Sequence, residues 1–390
     1  MKNENALMIA LVILLIISGF LSSAAAIFCI VISIPVSVVE VKEVSLERHE
    51  IVEARPRPQA AEVRQDPEIA HTPVETLSAT IILSFVGDCT LGENFGASSE
   101  RSFSAFYSMT SPEYFFGGVS QVFASDDLTI INLEGALTDS EVKHDKPEPG
   151  AKYWFKGPPE YAKILSAGHV EIANLANNHA KDFGEEGYSD TKGALTAEGI
   201  EYFGGEDVLV REVRGVKIGF FGLSASAGSG LIKERILALK REGARVVIGS
   251  FHGGLSEITY TPIESQIKAA RAAIDNGADF VVEHHPHVIQ GIEEYKNGVI
   301  AYSLGNFCFG GHSNPEDKDT MIFQVILTKK GERISSAYHV IPAMISSHDD
   351  YNDYRPRVLS DGEAISVRAK ILKLSTEAVA SSVGLRQREN

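Results

Sequence analysis

The stretch VVEHHPHVIQG, residues 281–291, sets the frame for reading this chain. It continues the apolar run DFVVEHHPH (279–287), in which three histidines crowd around a proline as soon as the hydrophobic residues end. In an extended chain alternate side chains share a face, so His285 and His287 project together, while His284 turns away to a supporting or surface position. Pro286 has no N–H to donate and ends regular pairing. Two imidazoles on one face at a strand end form a donor pair for a metal ion. The plain alternative is that they decorate a loop, and it weakens only if other segments bring similar groups to the same place.

Other segments do. IILSFVGD (81–88), LTIINLEG (128–135), VEIANLANNH (170–179), VKIGFFGLS (216–224) and ARVVIGSFHGG (244–254) are further β-type runs, and each is followed by polar residues. Asp88, Glu134, Asn178 with His179, and His252 all fall where an apolar run closes. In open α/β sheets ligands bind beyond the carboxyl ends of the strands, so five segments deliver these groups to one edge. Carboxylate, amide and imidazole are also the donors that hold manganese, iron or zinc. Taken alone, Asp88 reads equally well as a turn aspartate, Glu134 as a solvated charge and His252 as a satisfied core histidine. Asn177-Asn178-His179, followed by Asp182 and Gly184, is sharper, because helix capping explains an Asn or Asp but not the histidine. Gly253 and Gly254 permit close backbone approach after His252.

Between the strands lie helical patterns such as EEGYSDTKGALTAEG (185–199) and PIESQIKAARAAIDNG (262–277), the latter opening on Pro262 and closing on Gly277. Asn297-Gly298 between two β-rich runs predicts a hairpin, and Lys330-Gly331 a second one. Strands alternating with helices, followed by hairpins, predict the α/β class, with two mixed sheets face to face and helices outside.

The chain has 390 residues, with 36 basic against 52 acidic side chains and a net charge of −16, which argues against a nucleic-acid binder. Cys29, Cys89 and Cys308 define no disulfide framework, and a Cys89–Cys308 bridge stays open. Ala6–Val39 carries no charge and exceeds the roughly 20 residues that span a bilayer. A short cytoplasmic N-terminus (1–5), an uncleaved single-pass anchor and an extracytoplasmic remainder are therefore expected. The alternative is a signal peptide cut at Ala24-Ala25-Ala26, which would leave Ile27–Val39 as a greasy new terminus. Residues 40–79 are polar and proline-containing, as in an extended stalk, and 80–390 form the folded domain, with 346–390 packed on it. Lys143, Lys146, Lys152 and Lys156 interleave with Glu141, Asp145 and Glu148 and read as a solvated loop.

GDCTLG, NLEGALT, ANNHAKDFGEEGYSDT, FHGG and HPHVIQGIEEYKNGVIAYSLGNF occur here in that order. In these motifs the chain resembles the bacterial CapA-type poly-γ-glutamate capsule synthesis family, which is similar to the calcineurin-like metallophosphatases. The resemblance covers roughly residues 80 to 345. It implies a four-layer α/β/β/α sandwich of metallophosphatase type and one or two divalent ions (Mn, Fe or Zn) on Asp88, Glu134, Asn178, His252, His285 and His287. His179 is implied as general acid, and Asn132, Asn177, Asp182, Tyr302, Ser303 and Asn306 as supporting or substrate-contacting residues. The chain departs from that pattern at four positions. Thr90 replaces a metallophosphatase histidine ligand and Glu134 the bridging aspartate, while Glu283 stands for a family glycine and Gly253 for a frequent tryptophan. The implied activity is metal-assisted hydrolysis of a phosphoester or phosphoanhydride, with an amide of a γ-linked polymer left open, at the outer face of the cell membrane. The implied partners are poly-γ-glutamate or another anionic polymer and other capsule-synthesis membrane proteins. The alternative is a non-catalytic accessory that binds the polymer or scaffolds a membrane synthase.

Overall fold

The computed structural model describes residues 44–45, 78–97, 99–146, 152–254 and 258–388. The expected anchor Ala6–Val39 and nearly all of the expected stalk lie outside them. No helix of the described residues is long and apolar enough to cross a membrane.

Two sheets organise the fold. In the first, Ser78–Thr90 sits centrally, between the hairpin Asp319–Lys330/Arg333–Met344 on one side and the parallel strands Leu128–Leu133, Ile172–Asn174 and Glu201–Phe203 on the other. In the second, Val216–Ser224, Val246–His252, Phe280–His284 and Gly298–Ala301 run parallel, with Leu209–Val213 and Ile292–Tyr295 as antiparallel edges. Both central sets are apolar along their length, as strands covered on both faces must be.

Side chains assign the layers. Ile81, Leu83, Phe85 and Ile130 of the first sheet meet Ile218, Phe220, Ile248 and Val282 of the second in a shared core. The opposite face of the first sheet is covered by an aromatic layer of Phe103, Phe115, Phe116, Phe123 and Tyr161 from the short helices. The opposite face of the second is covered by the helices Ser229–Arg241 and Glu264–Asp275 through Ile232, Ile236, Ile267 and Ala270. Helices, sheet, sheet and helices thus succeed one another. Truncating one of these buried phenylalanines to alanine costs about 3–5 kcal/mol. The C-terminal helix Asp361–Arg388 adds Ala364, Val367, Ile371 and Leu374 to the inter-sheet core.

Three local expectations change. The run 170–179 is strand only over Ile172–Asn174, and the chain turns before His179. The strand through 279–287 ends at His284. In the first hairpin Tyr295 pairs with Gly298, so the turn residues are Lys296-Asn297, with Lys296 at φ 54°, one position earlier than the Asn-Gly signal suggests. Cys89 and Cys308 are both buried free thiols.

Candidate metal centre

The first sheet builds one wall. Asp88, Asn132 and Asn174 stand in register across three adjacent parallel strands, which brings side chains far apart in sequence into one row. Gly87 precedes Asp88 for a steric reason: a Cβ there would lie 2.0 Å from the Gly305 carbonyl oxygen, where the Asn306–Phe309 strand runs alongside. That approach lets the Asp88 N–H donate to Gly305 O at 3.0 Å. Asn132 Nδ2 donates to Asp88 Oδ1 at 2.7 Å, and Asn132 Oδ1 accepts from Asn174 at 2.9 Å and Asn177 at 3.4 Å.

The second sheet builds the facing wall. His252 and His284 are in register at the ends of neighbouring parallel strands. Beyond His284 the backbone takes positive φ at His285 (103°) and His287 (60°), a conformation rare for residues with a side chain. His285 and His287 therefore converge because the loop turns, and not because an extended chain alternates. The turn carries the chain to the first sheet, where the His285 N–H donates to Asp88 Oδ2 at 3.2 Å. Of the two places expected for His284, supporting or surface, it does not take the surface: it is buried, with Nδ1 3.6 Å from Asp88 Oδ1, and belongs to neither donor set.

Glu134 joins the walls. Asp88, Glu134 and His287 form one set of donors, and Glu134, His252 and His285 another, with the donor atoms of each set within 4.8 Å of one another. His252 Nε2 lies 3.4 Å from Glu134 Oε1, and His287 Nδ1 lies 3.3 Å from Asp88 Oδ2 and 3.9 Å from Glu134 Oε2. Asn306 Oδ1 is 2.9 Å from His287 Nδ1. Both Glu134 oxygens are buried with no hydrogen-bond partner among the described residues. A buried carboxylate without hydrogen bonds is costly unless a cation compensates it. Two imidazole-and-carboxylate sets sharing that carboxylate have the composition of a site for one or two borderline divalent ions.

The electrostatics follow from burial and crowding. Burial pushes the Asp88 carboxyl up, but the His287 hydrogen bond and the imidazoles of His252, His287 and His284 override it and hold the group well below the usual range. Glu134 is lowered too: burial and Asp88 raise it, but His287 and His252 prevail. Burial, followed by the neighbouring His252, pulls His285 down to about 4, so it offers a neutral lone pair. His287 moves the other way, up to about 9, because Glu134 and Asp88 outweigh its burial.

His179 flanks this centre. Its Nε2 is 4.0 Å from Glu134 Oε1, and its Nδ1 donates to Asp182 Oδ2 at 2.7 Å, since a carboxylate can only accept. The Phe155 ring packs on the imidazole at 4.3 Å, and the Phe155 N–H donates to the same Asp182 oxygen at 2.7 Å. Asn177 Oδ1 accepts the His179 N–H at 3.1 Å, while its Nδ2 donates to Leu133 O at 2.8 Å. Asn178, expected as a ligand, is exposed. Tyr302 and Ser303 stand apart from the donor sets: Tyr302 donates to Glu293 at 2.6 Å, and Ser303 Oγ accepts the Gly305 N–H at 3.2 Å. Glu283 lies in a buried polar network with Gln266, whose Nε2 also reaches Gln290. Three contributors escaped the sequence reading. Asn174 carried a usable signal, as the last polar residue of its strand. Phe155 and Lys146 carried none, because they reach the site from outside the two main sheets, Phe155 at the start of the short strand Phe155–Gly157 and Lys146 from a loop.

The sequence profile of the family described as Bacterial capsule synthesis protein PGA_cap matches residues 82–311. The chain belongs to this family. The PGA_cap match contains both donor sets, His179 and Asp182. Among curated relatives, the PGA biosynthesis protein CapA of Bacillus subtilis (strain 168) is 28% identical over 287 residues, covering 67% of this chain and 72% of that protein. The capsule biosynthesis protein CapA of Bacillus anthracis is 28% identical over 281 residues, covering 65% of this chain and 66% of that protein. Among solved structures, the calcineurin-like phosphoesterase YfkN from Bacillus subtilis aligns at 12% identity with a TM-score of 0.38, covering 77% of this chain and 99% of that one.

Proposed function

We propose that this PGA_cap member is a membrane-anchored, extracytoplasmic metallohydrolase of metallophosphatase type that serves capsule polymer synthesis or export by hydrolysing a phosphoester or related anionic substrate. One observation carries the catalytic part: Glu134 is a fully buried carboxylate, has no hydrogen-bond partner among the described residues, and sits at the shared corner of two sets of metal donors. Asp88, Glu134 and His287 would hold one divalent ion, and Glu134, His252 and His285 another. Such ions supply Lewis acidity, lower the pKa of water and neutralise charge on the transferring group.

The chain's own residues do the rest. Asn132 holds the Asp88 carboxylate in place through one hydrogen bond while Asn174 and Asn177 hold Asn132. Asp182 accepts the His179 Nδ1–H, so Nε2 faces the centre; when Nε2 also carries a proton, the ring can pass it to a leaving oxygen and return to its neutral Nδ1–H form. Phe155 on His179 and Phe309 on His287 cover the imidazoles with apolar surface that restricts water.

A second reading, a non-catalytic accessory that binds an anionic polymer or scaffolds a membrane synthase, draws on Thr90 and Asn178. Thr90 stands where the metallophosphatase pattern has a histidine and is buried, and Asn178 is exposed. The deciding experiment measures the metal content of the purified protein by elemental analysis, then its turnover of bis-p-nitrophenyl phosphate with added Mn, Fe or Zn. Stoichiometric metal with turnover abolished by chelator supports the hydrolase. Bound metal without turnover of any phosphoester favours the accessory.

A further inference from the structure

Lys146 was expected in a solvated loop, yet its ammonium lies 2.5 Å from Asp182 Oδ1 and 3.4 Å from His179 Nδ1. It also donates to the Tyr153 carbonyl at 2.7 Å and stands 5.7 Å from the Trp154 ring. Its described neighbours His144 and Trp154 are anchored. The His144 N–H donates to Asp182 O at 2.8 Å, and Trp154 Nε1 donates to His144 O at 2.8 Å. We propose that Lys146 is a positioning residue for His179, acting through Asp182; this rests on the reading of His179 as proton donor.

The geometry makes the case. Asp182 is fully buried, and its Oδ2 already receives two donors, the Phe155 N–H and His179 Nδ1–H, both at 2.7 Å. Its other oxygen faces Lys146. Oδ1 makes no hydrogen bond among the described residues, so the Lys146 ammonium beside it compensates its charge while two N–H groups hold Oδ2 toward Nδ1. A neutral imidazole has two tautomers, and the one with the proton on Nδ1 leaves the Nε2 lone pair facing the metal centre, where it can take up a proton and then give it to a leaving oxygen. Without the ammonium, a buried oxygen lacks a compensating charge, and the carboxylate gains by turning or drawing in water. The Nδ1–H then loses its fixed acceptor. Lys146 is one-fifth exposed in its side chain (21%) and reaches no donor of the two metal sets directly, which separates its role from that of a ligand.

The test uses the full-length protein with 15N-labelled histidine, the His179 signals being those lost in His179→Gln. At about pH 8.5, above the ordinary imidazole range, wild type and Lys146→Arg should show His179 held in the Nδ1–H form, and Lys146→Met a mixture of tautomers. An unchanged tautomer in a folded Lys146→Met protein overturns the proposal whatever the activity. With zinc or manganese added, Lys146→Met should lower kcat on an alkyl phosphodiester by about tenfold to a hundredfold. It should change turnover of bis-p-nitrophenyl phosphate, whose leaving group needs no proton, by less than about threefold, with Lys146→Arg restoring most of the loss. A raised KM with unchanged kcat would mean that Lys146 holds substrate, and would also overturn it. A shifted tautomer combined with no turnover by wild type would leave the positioning intact and sink the hydrolytic reading instead.

Discussion

His252 Nε2 and His285 Nδ1 face each other at 3.0 Å, although one ends a strand and the other lies in the loop after the next strand. Two imidazole nitrogens at that separation either share a proton or direct lone pairs at one cation. The adjacent Glu134 oxygen, 3.4 Å from His252 Nε2, favours the cation.

That pairing predicts an order among the histidines. His285→Ala and His287→Ala should each remove a donor and lower metal content by about half or more. His284→Ala should retain most of it, since His284 belongs to neither donor set. Elemental analysis of the three purified variants checks this; equal losses would mean that His284 ligates too.

Metal binding should strengthen as pH rises. His287 is pushed up to about 9 by Glu134 and Asp88 against its burial, so below that pH it carries a proton that a cation must displace. One displaced proton changes the apparent affinity by up to about tenfold per pH unit, or about a hundredfold between pH 6 and 8. His285, already lowered to about 4, adds no slope there. Chelator competition with zinc over that range measures the slope; a flat profile would remove His287 from the ligand set.

Gly87→Ala should destabilise the protein by about 2–4 kcal/mol, at or beyond the upper end of ordinary overpacking. The added methyl would meet the Gly305 carbonyl at 2.0 Å, and backbone cannot rotate away as a side chain can. Because the same approach places Asp88, metal content should fall with stability. Urea denaturation combined with elemental analysis tests both.

Asp126 gives a stability prediction away from the centre. Burial raises its carboxyl to about 7, helped by Glu171 and Asp127 and opposed by the Ser84 and Thr129 hydroxyls. The folded state therefore keeps a proton that the unfolded chain releases near its ordinary value of 3.8, so stability contributed here falls as pH rises from about 4 to about 7. Asp126→Asn should stabilise the protein at pH 8 by on the order of 1–2 kcal/mol, allowing for partial exposure, and do nothing below pH 4. Thermal melts at the two pH values decide it.

How much of this was legible in the sequence depends on the range of the cause. The apolar runs at 81–88, 128–135, 216–224, 244–254 and 279–287 fixed the central strands, because burial on both faces needs hydrophobic residues whatever the partner strand is. Since parallel strands end at one edge, the polar residues closing those runs were legible as one site, and Asp88, Glu134, His252, His285 and His287 do meet there. Helix boundaries near Gly184 and Asp275 followed from equally local signals.

Tertiary structure decided the rest. Register between strands, which no single strand encodes, put Asn132 beside Asp88 and Asn174 beside Asn132. The positive φ values at His285 and His287 belong to the loop that crosses to the first sheet, so these two side chains converge through a turn that alternation along an extended chain does not describe. Lys146 and Phe155 reach His179 and Asp182 across about thirty residues of sequence. Their places depend on how a loop and the short strand Phe155–Gly157 fold back, and a charge or an aromatic there looks the same in sequence whether it faces water or a buried carboxylate.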